Sequence, residues 1–177
     1  MGDAIPYSDD NIEAVYLVGV RVMPHSEAAD FHFLVLYYEV TSNDENRPLL
    51  VDGDLAIFSR SADADRVLKL GDRTFRKYAP FHGEVAMIYD GGTVLAAIAS
   101  ERDDTAHVAA FLNEALDVLK ALRIELPASF REPLIGLADH ATFDKDLAAL
   151  VRPYGKEHLT NAIRWLIGAI VGRVRVV

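Results

Sequence analysis

Residues Phe31 to Thr41 read FHFLVLYYEVT. In an extended chain Leu34, Leu36, Tyr38 and Val40 fall on one face and Phe33, Val35 and Tyr37 on the other, because successive strand side chains point to opposite sides. Most of the segment is therefore apolar on both faces. Such a strand is expected to be central and covered on both sides, by the chain's own helices or by another subunit. Ala14 to Met23 (AVYLVGVRVM) is similarly rich in β-branched and aromatic residues, and a seven-residue loop containing Pro24 separates the two runs. They are expected to pair as an antiparallel hairpin.

The rest of the first hundred residues is read around that hairpin. Ser42 to Arg47 is polar and reads as a loop. Leu49 to Phe58 contains Asp52-Gly53, a strong signal for a tight turn because Gly tolerates positive φ, and this splits the run into two short strands. Ser61 is placed to cap a short helix carrying Ala64, Val67 and Leu68 on one face, with Gly71 where a left-handed C-terminal cap is expected. Glu84 to Tyr89 and Thr93 to Ala99 read as a third hairpin joined by Asp90-Gly91-Gly92.

After Asp103 the apolar period changes from two to about 3.6, as Val108, Phe111, Leu112, Ala115, Leu119 and Leu122 show. Asp103 and Asp104 favour the start of that helix, and Pro127 follows its end. Further helices are expected over Glu132 to Asp139, with Pro133 near the start, over Thr142 to Arg152, and over Lys156 to about Arg173. The fold class is therefore α+β: a mainly antiparallel sheet of about six strands built from three hairpins over residues 14–99, one short helix at 61–70, and a helical C-terminal half at 103–173. Residues 1–10 read as a flexible acidic leader, and 11–177 as a single domain.

Composition limits function. With 177 residues, 51% of them apolar, the chain can build a core without disulfides or metals. It has no cysteine, which removes thiolate catalysis, disulfides and cysteine-ligated metals. A net charge of −9 argues against general affinity for nucleic acid, which relies on Lys and Arg neutralising phosphates. The start lacks the basic and apolar segments of a secretory signal, and no apolar run reaches about 18 residues, so a cytoplasmic chain without a membrane span is expected. No Gly-Lys-Ser/Thr phosphate loop, G-x-S-x-G elbow or H-E-x-x-H helix occurs, and the six histidines form no close pair on one element, so neither cofactor nor metal is expected.

Three groups of residues carry the functional expectations. The segment Arg73 to Glu84 (RTFRKYAPFHGE) interleaves cations with aromatics, which suits an anionic or planar ligand held by Arg76, Tyr78, Phe81 and His82. There His82 with Glu84 is the weak candidate for acid–base work. Alternatively, those aromatics pin a loop to the core. Acidic loop residues, Asp44, Glu45, Asp52 and Asp54, suit a basic partner, or serve solubility alone. The last helix bears an apolar stripe with Trp165, Ile170 and Val171 at its edge, while Gly168 and Gly172 are spaced for close approach of another backbone. That helix is either core or a subunit interface.

Charge sharpens the contrast: Met1 to His158 hold 15 Lys and Arg against 27 Asp and Glu, a charge of −12, whereas Leu159 to Val177 hold three Arg and no acid. The leading expectation is a non-catalytic protein-binding module, an acidic interaction or inhibitor/immunity-type protein, with self-association. The alternatives are a small-ligand protein or metal-free enzyme using the Arg73–Glu84 loop, and a structural oligomer without a separate ligand.

Overall fold

A computed structural model describes residues 12–21, 33–40, 45–72, 85–100, 104–143 and 146–177. The elements run β1 (Ile12–Arg21), β2 (Phe33–Val40), β3 (Glu45–Pro48), β4 (Leu50–Val51), β5 (Asp54–Ile57), α1 (Ala64–Leu70), β6 (Val85–Asp90), α2 (Gly91–Ser100), α3 (Thr105–Ala121), α4 (Ala128–Phe143), α5 (Leu147–Val151), α6 (Lys156–Val171) and β7 (Val174–Val176). A 3-10 turn at Ser61–Asp63 leads into α1. The chain is α+β with a helical C-terminal half, but its strands form two mixed sheets in place of one antiparallel sheet. The first has the order β3-β2-β1-β6, the second β4-β5-β7.

The central hairpin is present: β1 and β2 pair antiparallel, with Leu17 opposite Leu36 and Tyr16 opposite Tyr37. Alternation of side chains divides the hairpin between two cores. Leu34 and Leu36 join Leu17, Phe58, Val67 and Leu68 on the α1 side. Val35 and Tyr37 join Val18, Leu55, Ile57 and, from α3, Val118 and Leu122 on the other. Thus β2 is covered on both faces by the chain's own elements, and Leu34 through Tyr38 are all buried. Burying such side chains contributes roughly 1.5–3 kcal/mol each before entropy is charged against it.

Asp52-Gly53 makes the expected tight turn, with φ of 52° and 79° and Val51 opposite Asp54. The polar loop before it is shorter than expected, since Glu45–Pro48 pairs with β2 as an edge strand. Pro48 is tolerated there because an edge strand has one side that need not donate to a ladder. The two sheets meet where Leu34 and Phe58 exchange backbone hydrogen bonds of 2.7 and 3.0 Å.

The third hairpin does not form. Residues 91–100 are helix α2, and β6 lies parallel to β1. Asp90 serves the helix in place of a turn: its Oδ1 accepts from the backbone N–H of Gly92 at 2.9 Å and Thr93 at 3.1 Å. This is how an N-cap residue satisfies the first free donors of a helix. Neither Gly91 nor Gly92 takes positive φ, so the turn that Asp-Gly-Gly usually signals is replaced by a capped helix start. Gly71 also departs from expectation. Its φ of −62° is not left-handed, and an added Cβ would lie 2.5 Å from Leu49 Cδ1, so the Leu49 side chain would have to shift.

The helical half packs around α3, whose six-residue stripe is buried throughout. Helix α4 is longer than expected and holds Pro133 in its interior. Proline has no N–H, so the carbonyl four residues earlier, that of Ser129, loses its helical donor. The His158 ring lies against that carbonyl, with Nε2 3.1 Å from the Ser129 oxygen, and stacks obliquely on Phe130. The 142–152 segment shortens to α5, which Asp146 caps by accepting from Ala149 N–H at 3.2 Å. Leu159, Ile163 and Leu166 seat α6 in the helical core. The final basic tail, expected to end a helix, instead adds β7 to β5 in parallel.

Candidate functional site

The side of the first sheet facing α3 carries an uncommon group of polar side chains. Tyr37 on β2 is buried and stacks on Tyr16, directly opposite on β1, with ring centres 5.9 Å apart. Tyr89, opposite Val20, comes from β6 and is half-buried. Glu114 on α3 lies between Phe111 and Val118 along the helix, so it meets the sheet where those apolar residues do. Both phenolic hydroxyls donate to its carboxyl. Its Oε1 is buried and has no hydrogen-bond partner among the described residues.

The electrostatics follow from that placement. Burial raises the pKa of Glu114 above the ordinary glutamate value and Asp117 adds to the rise, while the hydrogen bonds from Tyr37 and Tyr89 oppose it. Burial pushes Tyr37 well above the usual phenol value, and the neighbouring Glu114 raises it further; Tyr89 moves the same way for the same reasons. A group that is both desolvated and specifically hydrogen-bonded is a candidate for function, because its charge state responds to what binds nearby.

Beside these groups lies a cavity of about 70 Å³. Val35, Leu55, Phe111, Val118, Ile167 and Ile170 supply much of an apolar wall, and its polar side chains among the described residues are Arg21, Tyr37, Tyr89 and Glu114. Val171 lines it and is half exposed, so the cavity reaches the surface beside the end of α6. Arg21 is held by Asp90, Nη1 to Oδ2 at 3.4 Å, with both side chains mostly buried. Asp90 therefore organises one wall in two ways: it caps α2, whose Gly91 lines the cavity, and it balances the Arg21 charge. His107 Nε2 lies 3.4 Å from the Asp90 carbonyl oxygen. An apolar pocket with a few convergent polar groups is the usual form of a small binding site.

No protein-family model matches the chain, and no curated protein does. The chain is similar in fold to a solved structure, the C-terminal domain of SatS in complex with bromine. The likeness has a TM-score of 0.55 at 11% sequence identity and covers 93% of this chain and 94% of that one. At that identity it shows the fold alone.

The residues singled out from the sequence are distributed differently. Arg76, Tyr78, Phe81, His82 and Glu84 lie outside the described residues, as does Asp44. Glu45 opens the edge strand β3. Asp52 and Asp54 flank the β4–β5 turn and are paired with the chain's own C-terminus: Arg173 Nε donates to Asp54 Oδ1 at 2.7 Å, and Arg175 pairs with Asp52. From the other side, Asp72 accepts the N–H groups of Asp52 and Gly53 at 2.8 and 2.9 Å. Part of the charge asymmetry between body and tail is therefore neutralised within the molecule.

At the last helix, Trp165 packs on Phe130 with centres 5.9 Å apart, and Ile170 is partly buried against the helical core and the core on the α3 side of the hairpin. Val171 stands at the cavity rim. Among the described residues no other element approaches Gly168 closely, since an added Cβ there would meet nothing within 4 Å. Among the described residues no helix is long and apolar enough to cross a membrane, and no group of three metal-ligating side chains gathers.

Sequence reasoning missed Glu114. The available signal was a carboxyl three residues after Phe111 and four before Val118, in line with residues that must face the core.

Proposed function

We propose that this chain is a binding protein, in keeping with the non-catalytic reading of its sequence, and that its recognition site is the cavity between the first sheet, α3 and α6. The reading rests on one observation: a buried carboxyl oxygen, Glu114 Oε1, stands without a partner among the described residues beside an apolar cavity open near Val171. Leaving such an atom unpaired costs roughly 1–3 kcal/mol, and a bound polar group removes that cost. A volume of about 70 Å³ equals roughly two water-sized groups at about 30 Å³ each. It therefore suits the end of a longer ligand or partner side chain, with an apolar stem along Ile167, Ile170 and Val171 and a polar tip at Glu114. One carboxyl whose hydrogen bonds come from two un-ionised phenols orients and recognises, and provides no activated nucleophile.

The test is a titration with three-carbon probes, n-propanol, propylammonium and propionate, followed by amide chemical shifts. At least one probe is expected to move the Tyr37, Tyr89, Glu114 and Ala115 amides saturably, and Val171→Phe, at the exposed rim, to weaken that response. Shifts confined to other regions, or a response that Val171→Phe leaves unchanged, would remove the cavity as the site.

A further inference from the structure

Resting on the cavity reading above, we infer that the group this site takes is a primary alkylammonium, the end of a free amine or of a lysine side chain on a partner. The acceptor is in place: Glu114 Oε1 is buried and unpartnered among the described residues, and the Tyr37 and Tyr89 hydroxyls already fix the carboxyl's orientation. An ammonium offers three donors and a full charge, and hydrogen bonds between charged groups are roughly twice as strong as neutral ones. The walls include the rings of Tyr37, Tyr89 and Phe111, and aromatic faces attract alkylammonium groups. A carboxylate ligand would oppose ionisation of Glu114 and meet the ionised form with like charge. A hydroxyl could satisfy Oε1 but would use neither the charge nor the rings.

The surrounding charges are compatible. From β1 come Tyr16 and Arg21, and Arg21 is balanced by Asp90 of β6. Tyr37 and Tyr89 stay neutral far above physiological pH, Asp117 of α3 adds negative potential, and α6 contributes Ile167, Ile170 and Val171. Binding is non-covalent and proton-linked. Where the free carboxyl is protonated it gives its proton to solvent as the ammonium enters, and the ammonium N–H then donates to Oε1. Affinity therefore rises with pH through the range in which free Glu114 ionises, and falls once the amine deprotonates, near 10.4 for a lysine-like group.

The experiment compares propylammonium chloride, n-propanol and sodium propionate on the whole chain at constant ionic strength, at pH 6 and pH 8, with wild type and Glu114→Gln. The expected result is a propylammonium Kd at least tenfold below that of n-propanol at both pH values. Glu114→Gln should abolish that margin. Equal affinity of the two probes, or tighter propanol, overturns the ammonium assignment while leaving the cavity as a binding site. No response at the cavity amides to any probe overturns both. Should Glu114→Gln fail to fold, the three-probe comparison on wild type decides alone. A second arm uses the peptide acetyl-Gly-Lys-Gly-amide and its Nε-acetylated form. Tighter binding of the free-lysine peptide than of propylammonium assigns the source to a partner's lysine, and the reverse order assigns it to a small amine.

Discussion

Asp90→Ala tests whether one carboxylate really sets the start of α2 and the wall of the cavity. Two contributions can be worked out. Loss of the cap to Gly92 and Thr93, at 2.9 and 3.1 Å, costs about 1 kcal/mol, within a range of roughly 0.5–2. Loss of the Arg21 contact, long at 3.4 Å but only 20% and 10% exposed on its two sides, adds about 1 kcal/mol, below the usual 1.5–3 for a hydrogen bond to a charged group because of its length. The sum is about 2 kcal/mol, or roughly 4–8 °C in Tm for a chain of this size. Asp90→Asn retains an acceptor for the cap and loses the charge, so it should cost about half as much. Urea denaturation followed by circular dichroism gives both values. A cost below about 0.5 kcal/mol for Asp90→Ala, or equal costs for Ala and Asn, would refute the division into cap and ion pair.

Three further perturbations address other parts of the molecule. Because the folded pKa of Glu114 is raised, its contribution to stability is fully present below the unfolded pKa and is lost as pH rises through the folded value, by about 1.4 kcal/mol for each unit of difference; Glu114→Gln should flatten that part of a pH series of urea midpoints, and an unchanged slope would count against a buried acid. Gly71→Ala, which brings a Cβ within 2.5 Å of the buried Leu49, should cost roughly 1–3 kcal/mol through overpacking, and a neutral result in chemical denaturation would show that Leu49 can move aside. Arg173→Ala with Arg175→Ala should cost less than about 1 kcal/mol in total, since exposed ion pairs contribute little, whereas truncation after Gly172 removes the carbonyl that Leu55 N–H bonds at 2.8 Å and should speed hydrogen exchange at that amide; equal protection before and after truncation would deny β7 a role in the sheet.

The sequence was most legible where period and burial agree. Phe33 to Val40 declares itself because both faces are apolar, and α3 does so because its stripe repeats every three to four residues over many positions. Legibility failed where one short motif has two physical uses. An aspartate before two glycines can close a tight turn or cap a helix, and the choice depends on whether the next residues bury better at period two or 3.6. Beyond its two buried glycines, α2 buries Val94, Ala97 and Ile98, and their spacing is helical, so the deciding pattern was present beyond the turn signal. Strand β7 was hidden for another reason. Three residues have no period to read, and their place beside β5 depends on the long-range pairing of Leu55 with Val174.

The acidic loops and the buried acid show why charge in a sequence does not locate a site. Asp52 and Asp54 stood out because they cluster in a turn, yet Arg175 and Arg173, more than a hundred residues later, pair with them. Glu114 did not stand out, because a carboxylate in a helix usually faces water. Its role depends on which strand passes over that turn of α3, and the antiparallel pairing that sets Tyr37 opposite Tyr16, with β6 alongside β1, brings two phenols to the same carboxyl. A charge paired near the surface contributes mainly local order, whereas a charge desolvated beside a cavity has an energy that a ligand can change by several-fold in affinity. The search for function in this chain therefore shifts from its acidic surface to one carboxyl under the sheet.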